Sequence, residues 1–266
     1  MNPESASPPV GVPSDRSASE QDVTPPSPRP VIAMPNRQPW VTRILLALTI
    51  TVFAAQVLSE NFLGYDLPQA LGAKVNELIL EGQLWRLFTP MLLHGGLLHI
   101  GFNMYALNIL GSDLERSYGP WRFLALYILG GFAGNVASFM LTEAISVGAS
   151  TAIFGLIGAQ GILIYHNRAI FGSRARPALN RILYLAAINL VIGLSPGIDN
   201  WGHLGGLAGG SAFAWLAGPL WKLDGVFPVY RLGDRREPVI VGLAAVGVAA
   251  LFSALVVGVI VFRSLS

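Results

Sequence analysis

Residues 238–262 read PVIVGLAAVGVAALFSALVVGVIVF, 25 consecutive positions without one ionisable side chain. At a rise of about 1.5 Å per residue, that run is long enough to cross the ~30 Å hydrocarbon layer of a bilayer as a helix. Working back towards the N-terminus, six more apolar stretches recur at roughly 41–58, 93–112, 121–142, 149–166, 178–195 and 201–219. The expected fold is therefore an all-α polytopic membrane protein with seven spans. Composition agrees: of 266 residues 53% are hydrophobic and 12% charged, with a mean hydropathy of +0.55. Soluble domains carry about 25% charged residues. The deficit excludes a disordered chain, a nucleic-acid binder built on a basic face and an ordinary cytosolic enzyme. With no cysteine, disulfides, zinc-thiolate sites and a cysteine nucleophile are excluded as well.

Three segments depart from the apolar rhythm. Residues 1–39 hold 10 of the 18 prolines and mixed charges, with no apolar period, and are expected to form a disordered cytosolic tail. They lack the apolar core of a secretory signal, and their acidic residues argue against a transit peptide, which favours a bacterial-type plasma membrane. The segment 59–92 places Asp66, Lys74, Glu77, Glu81, Trp85 and Arg86 among apolar residues, the pattern of a loop lying in the interface, with Trp85 and Arg86 as its anchor. Residues 220–237 form a basic linker. With the N-terminus inside, 14 of the 17 Lys and Arg fall in inner segments, and only Lys74, Arg86 and Arg263 lie outside. The positive-inside rule then predicts N-in and C-out.

Polar side chains within spans are costly and mark function by default. His94, His99 and Asn103 fall in the second span, Ser150 opens the fourth, and His203 sits near the start of the sixth. Spans two, four and six all run from outside to inside, so these five residues share a similar depth in the outer half. A serine hydroxyl is a weak nucleophile until a base such as histidine takes its proton. Ser150 and His203 meet only if spans four and six pack closely. The small-residue spacings at Gly202/Gly206, Gly205/Gly209 and Gly206/Gly210, facing Gly155 and Gly158, allow that approach. The backbone N–H groups at the start of the fourth helix, with His99 and Asn103 on one face at i and i+4, are donors suited to an oxyanion. His94 falls off that face and is assigned a supporting role. Glu115 and Arg116 belong to an inner turn that they stabilise, and His166 is expected to reach the interface beside Arg168. A metal site is disfavoured. The 94/99 spacing is not that of a helical ligand pair, and no carboxylate is expected at matching depth.

These residues resemble the rhomboid intramembrane serine proteases. The resemblance runs from about Trp40 to Gly218. It rests on Trp85-Arg86, on His94-Gly-Gly-Leu-Leu-His99-Ile-Gly-Phe-Asn103-Met104, on Gly111-xxx-Glu115-xxx-Gly119, on Gly148-Ala149-Ser150 and on His203-Leu204-Gly205-Gly206. It implies a six-helix catalytic core at 40–219 with Ser150 as nucleophile and His203 as general base. His99, Asn103 and the Ser150 amide would form the oxyanion hole, with Gly148, Gly202, Gly205 and Gly206 as structural support. The seventh helix, within 238–266, would be the addition of a six-plus-one form. The implied substrates are single-span membrane proteins cut in or near their transmembrane segment, without metal or other cofactor and without nucleic acid. The alternative is a catalytically weak or inactive rhomboid-like binder of membrane proteins. One position departs from the family pattern. Thr151 stands where the family most often has glycine; a β-branched residue there removes backbone freedom and is expected to crowd the helix start, but it keeps the N–H. A transporter would show inverted repeats with interrupted helices, and no such pairing is visible.

Overall fold

The computed structural model describes residues 31–33 and 37–265. Strand β1 (Val31–Ala33) precedes helix α1 (Trp40–Leu63). Short helices α2 (Leu67–Gly72) and α3 (Asn76–Leu80) and two 3-10 turns (Leu84–Leu87, Thr89–Leu92) follow. Helix α4 (Leu97–Ala106) passes through a π-turn (Leu107–Gly111) directly into α5 (Ser112–Tyr118). Next come α6 (Pro120–Leu141), α7 (Ser150–His166), α8 (Arg168–Phe171), α9 (Ala175–Ile192) and α10 (Asn200–Ala217). Strands β2 (Trp221–Val226) and β3 (Val229–Asp234) precede α11 (Pro238–Leu265). Among the described residues α1, α6 and α11 are long and apolar enough to cross a membrane, and α7 is a shorter apolar helix. The protein is a mostly helical integral membrane protein.

Helices α6, α7 and α10 form the centre. Phe123, Leu126, Leu156, Phe213, Ala214 and Ala217 are fully buried there. Close approach depends on missing side chains. A Cβ on Gly210 would overlap the Gly155 backbone, and one on Gly206 would overlap the Thr151 carbonyl. Around this centre α11 turns Leu243, Val246, Val257 and Phe262 outward, as lipid-facing residues do. In α9 only Ala175 is buried.

Helix α1 is fastened from a distance. Its N-cap residue, Pro39, offers no side-chain cap, so the first N–H groups need another acceptor. Glu115, at zero exposure, provides it. Val41 N donates to Oε1 at 2.9 Å, and Thr42 N and Thr42 Oγ1 both donate to Oε2 at 2.7 Å. A carboxylate at a helix N-terminus also meets the favourable end of the dipole. The turn role expected of Glu115 is thus a long-range cap.

Four expectations need correction. The all-α description omits a three-stranded sheet, in which β3 pairs antiparallel with β2 and parallel with β1. The basic linker is therefore an ordered hairpin, because its Lys and Arg alternate with Leu, Val and Tyr. It is tied to the bundle by Arg122–Asp234 at 2.8 Å and by Trp221 N donating to Asn167 Oδ1 at 2.6 Å. Residues 31–33, expected within the disordered tail, form β1, while 1–30 and 34–36 lie outside the described residues. Residues 59–63, assigned to the interfacial loop, continue α1 until Gly64 caps it at φ 78°. His166, by contrast, is partly exposed and within reach of the Arg168 charge, as expected of an interfacial pair; its ring packs edge-on against Trp215, with centroids 4.7 Å apart, and Arg168 lies over Tyr165.

Arg86 is not an exposed anchor either. It is 3% exposed, and its guanidinium donates to Ala73 O at 2.7 Å, Ala70 O at 2.8 Å and Gln83 Oε1 at 2.8 Å. It holds the loop from within, while Trp85 stays exposed and donates its indole N–H to Leu71 O.

Candidate active site

The site is built by stitching two loops that lie far apart in sequence. Lys74 N donates to Ser146 O at 3.0 Å, and Ser146 N donates back to Lys74 O at 3.2 Å. The fully buried Lys74 Nζ donates to Thr142 O at 2.8 Å and Ala144 O at 2.9 Å. Burial pushes this amine down to about 8, against the pull of the Asp199 and Glu143 carboxylates. Gly148 N donates to Pro90 O at 2.9 Å. The segment 142–149 is therefore held at several points, and it delivers Ser150 to the first position of α7.

His94 sits beneath this turn, 2% exposed. Its Nε2 accepts from Ala149 N at 3.4 Å, and its backbone N–H and C=O are both clamped by the Gln56 amide, at 3.0 and 3.2 Å. The ring is thus in a supporting position one residue before the serine.

Ser150 Oγ lies 3.0 Å from His203 Nε2, across 53 residues of sequence. Ser150 is partly exposed, while His203 is 7% exposed. The imidazole stacks on Phe154 at 4.2 Å and 14°. Phe154 follows Ser150 by four residues and so lies on the same face of α7. That spacing was available in the sequence and was missed. His99 approaches from α4. Its Nδ1 accepts from Gly95 N at 3.3 Å. A Cβ built on Gly148 would fall 2.8 Å from His99 Nε2 and 3.5 Å from Ser150 Oγ, and Gly148 has φ +131°. Both the conformation and the space require glycine there. Asn103 is 6% exposed and commits one amide N–H to His99 O at 2.8 Å, within its own helix. Ser150, His203 and His99 thus meet, while Asn103 stands one turn further along α4.

Gly205 faces α6 and Gly202 faces α7. A Cβ on Gly205 would lie 2.8 Å from Ala133 O, and one on Gly202 would lie 3.0 Å from the Thr151 methyl. From the other side, a Cβ on Gly134 would lie 2.6 Å from the Thr151 Cβ. Thr151, 3% exposed, therefore fills a space left by two glycines. The expected crowding at the helix start does not arise. Thr151→Gly should open a void and cost about 1–2 kcal/mol, a drop of roughly 2–8 °C in thermal midpoint. A thermal scan in detergent micelles checks this, and an unchanged or raised midpoint would contradict the packing account.

The expectation that no carboxylate lies at matching depth is also corrected. Asp199 is the N-cap of α10, one turn before His203. Its Oδ1 accepts from Gly202 N at 2.8 Å, and its backbone carbonyl accepts from His203 N at 3.1 Å. An Asp opening an apolar run is an ordinary helix-start signal, and it stood in Asp199-Asn200-Trp201-Gly202-His203. On the same side of the bundle, Glu143 accepts from Asn76 Nδ2 at 2.7 Å and from Arg263 Nη2 at 2.6 Å, which joins the end of α11 to the loop before Ser150.

A family model described as the Rhomboid domain matches residues 81–220. The chain is 40% identical over 176 residues to rhomboid protease GluP of Bacillus subtilis (strain 168), covering 66% of this chain and 34% of that protein. It is 36% identical over 171 residues to the chloroplastic RHOMBOID-like protein 9 of Arabidopsis thaliana, covering 64% of this chain and 39% of that one. It is 33% identical over 220 residues to RHOMBOID-like protein 5 of the same plant, covering 70% and 71%. For the first two of these relatives the chain spans less than two thirds of their length.

Proposed function

The chain belongs to the rhomboid family, whose domain matches more than half of it, and on that premise we propose that it is an intramembrane serine endopeptidase with Ser150 as nucleophile and His203 as general base. The observation that carries this reading is the 3.0 Å contact between Ser150 Oγ and His203 Nε2. In the proposed sequence His203 Nε2 takes the hydroxyl proton as Oγ attacks a peptide carbonyl. The carbonyl oxygen becomes an oxyanion, met by the unpaired Ser150 N–H at the helix start, by His99 and by the second amide N–H of Asn103. His203 returns the proton to the leaving amine, and water then hydrolyses the acyl-enzyme with the same base. Partial exposure of Ser150 supports water access.

The substrates of this reading are single-span membrane proteins. The chain is read as seven crossings, N-in and C-out, in a bacterial-type plasma membrane, with a six-helix core at 40–219 plus α11. Two observations support the topology. The hairpin ends of α6, α7 and α10 carry the basic residues, about 25 Å along α7 from Ser150. The Arg263–Glu143 pair joins the far end of α11 to the Ser150 face.

The test uses the full chain in liposomes with a single-span reporter. Wild type is expected to release the ectodomain and Ser150→Ala is not. Equal release by both would remove Ser150 from the mechanism. A wild type inert towards a panel of such reporters, and unlabelled by a fluorophosphonate at Ser150, would favour a non-catalytic binder.

A further inference from the structure

His203 uses one ring nitrogen on Ser150. The other, Nδ1, is buried and has no hydrogen-bond partner among the described residues. One turn earlier on the same helix, Asp199 uses one carboxylate oxygen to cap Gly202 N, and its second oxygen, Oδ2, is likewise buried without a partner. Residues four apart share a helix face. Cap chemistry needs only one acceptor oxygen, and asparagine or serine supplies it as well as aspartate does. A second, enclosed carboxylate oxygen one turn before His203 is therefore more than the cap requires.

Building on the dyad proposed above, we infer that Asp199 is a positioning residue for His203, its free carboxylate oxygen holding the imidazole as the Nδ1–H tautomer and stabilising the imidazolium that forms when Ser150 gives up its proton. The geometry gives a reason for each part. Only the Nδ1–H tautomer leaves a lone pair on Nε2 for the Ser150 proton. Oδ2 and Nδ1 are not hydrogen-bonded to each other in this structure, so the carboxylate acts through its charge: it favours that tautomer and attracts the charged ring that appears only as the reaction proceeds, acting on the transition state more than on bound substrate. The other charged groups around the pair are accounted for. His99 of α4 is the second ionisable group acting on His203. On the loop side Lys74, Glu143 and Arg263 form one connected cluster, and Asp199 and Lys74 feel each other's charge. Lys74 Nζ donates to backbone carbonyls, and Oδ2 itself has no hydrogen-bond partner among the described residues. Stacking on Phe154 fixes the plane of the ring, which leaves its protonation as the property Asp199 controls.

The experiment compares wild type, Asp199→Asn and Asp199→Ser in liposomes, reading kcat, KM and the pH profile of reporter cleavage, with Ser150→Ala as blank. Both variants keep a cap, so a purely structural Asp199 predicts wild-type kinetics. The positioning role predicts that Asp199→Asn lowers kcat by about tenfold and moves the acidic limb of the profile about one pH unit lower, the effect expected of losing one opposite charge near an ionising group. KM should stay within about twofold, since substrate binding is not what the charge serves. A wild-type profile with wild-type kcat in both variants would overturn the inference. So would a kcat loss with an unmoved acidic limb. If wild type itself is inert, the failure belongs to the dyad reading and not to Asp199. Unchanged thermal midpoints in Asp199→Asn separate a kinetic effect from misfolding.

Discussion

Replacing His203 with alanine is expected to lower reporter cleavage by at least about 10³-fold, and adding Ser150→Ala to it should lower the rate no further. The magnitude follows from what Ser150 loses. The Ser150 Oγ contact is to His203 Nε2, and the ring is held there by the Phe154 stack and by the packing of α10 against α7. On the proposed mechanism, a serine without its base keeps its position and its neighbouring oxyanion donors but not its reactivity. Non-additivity is the sharper half of the result. Residues acting through one proton transfer fail together, whereas independent contributors would multiply. Rates for wild type, each single variant and the double variant complete the cycle. A His203→Ala protein with a tenth or more of wild-type activity would end the case for a dyad.

The second large effect concerns stability. Glu115→Ala should destabilise the protein by about 3–5 kcal/mol, since each buried donor left without an acceptor costs about 1–3 kcal/mol. Three donors lose their acceptor at once: the Val41 and Thr42 N–H groups and the Thr42 hydroxyl. Both residues are buried, so nearby water does not take over. Glu115→Gln keeps one acceptor oxygen and should lose about half as much. Thr42→Val removes one bond of the three and should lose least. Unfolding midpoints in mixed micelles order the three variants. A loss below about 1 kcal/mol in Glu115→Ala would mean that α1 is held by its apolar face alone.

The helices were legible because lipid solvent imposes a coarse code, about twenty apolar residues per span. The spacing of Ser150, His203 and His99 was legible because few polar groups remain in those spans. Most of what escaped has partners distant in sequence or supplied by the backbone. Lys74 and Arg86 looked like interfacial charges, yet both donate to main-chain carbonyls, which no side-chain pattern announces. Thr151 looked like a crowding substitution until Gly134, on another helix, proved to face it. Glu115 read as a turn residue because its acceptor role is exercised 74 residues away. The hairpin at 221–234 was hidden by its own basicity, since the two-residue period of a strand was outweighed by the charge count. Asp199 carried a readable helix-start signal, lost because the span was delimited by apolarity alone.

The packing of α7 against α10 through glycine also bears on how the protein is made. A nascent chain inserted from its N-terminus presents Ser150 well before His203, with all of α9 between them. If Ser150 and His203 act as proposed, the serine lacks its base until α10 has been synthesised and seated against Gly155. Hydrolytic competence would then be deferred to that stage of core assembly, and a product stalled before α10 would be inert.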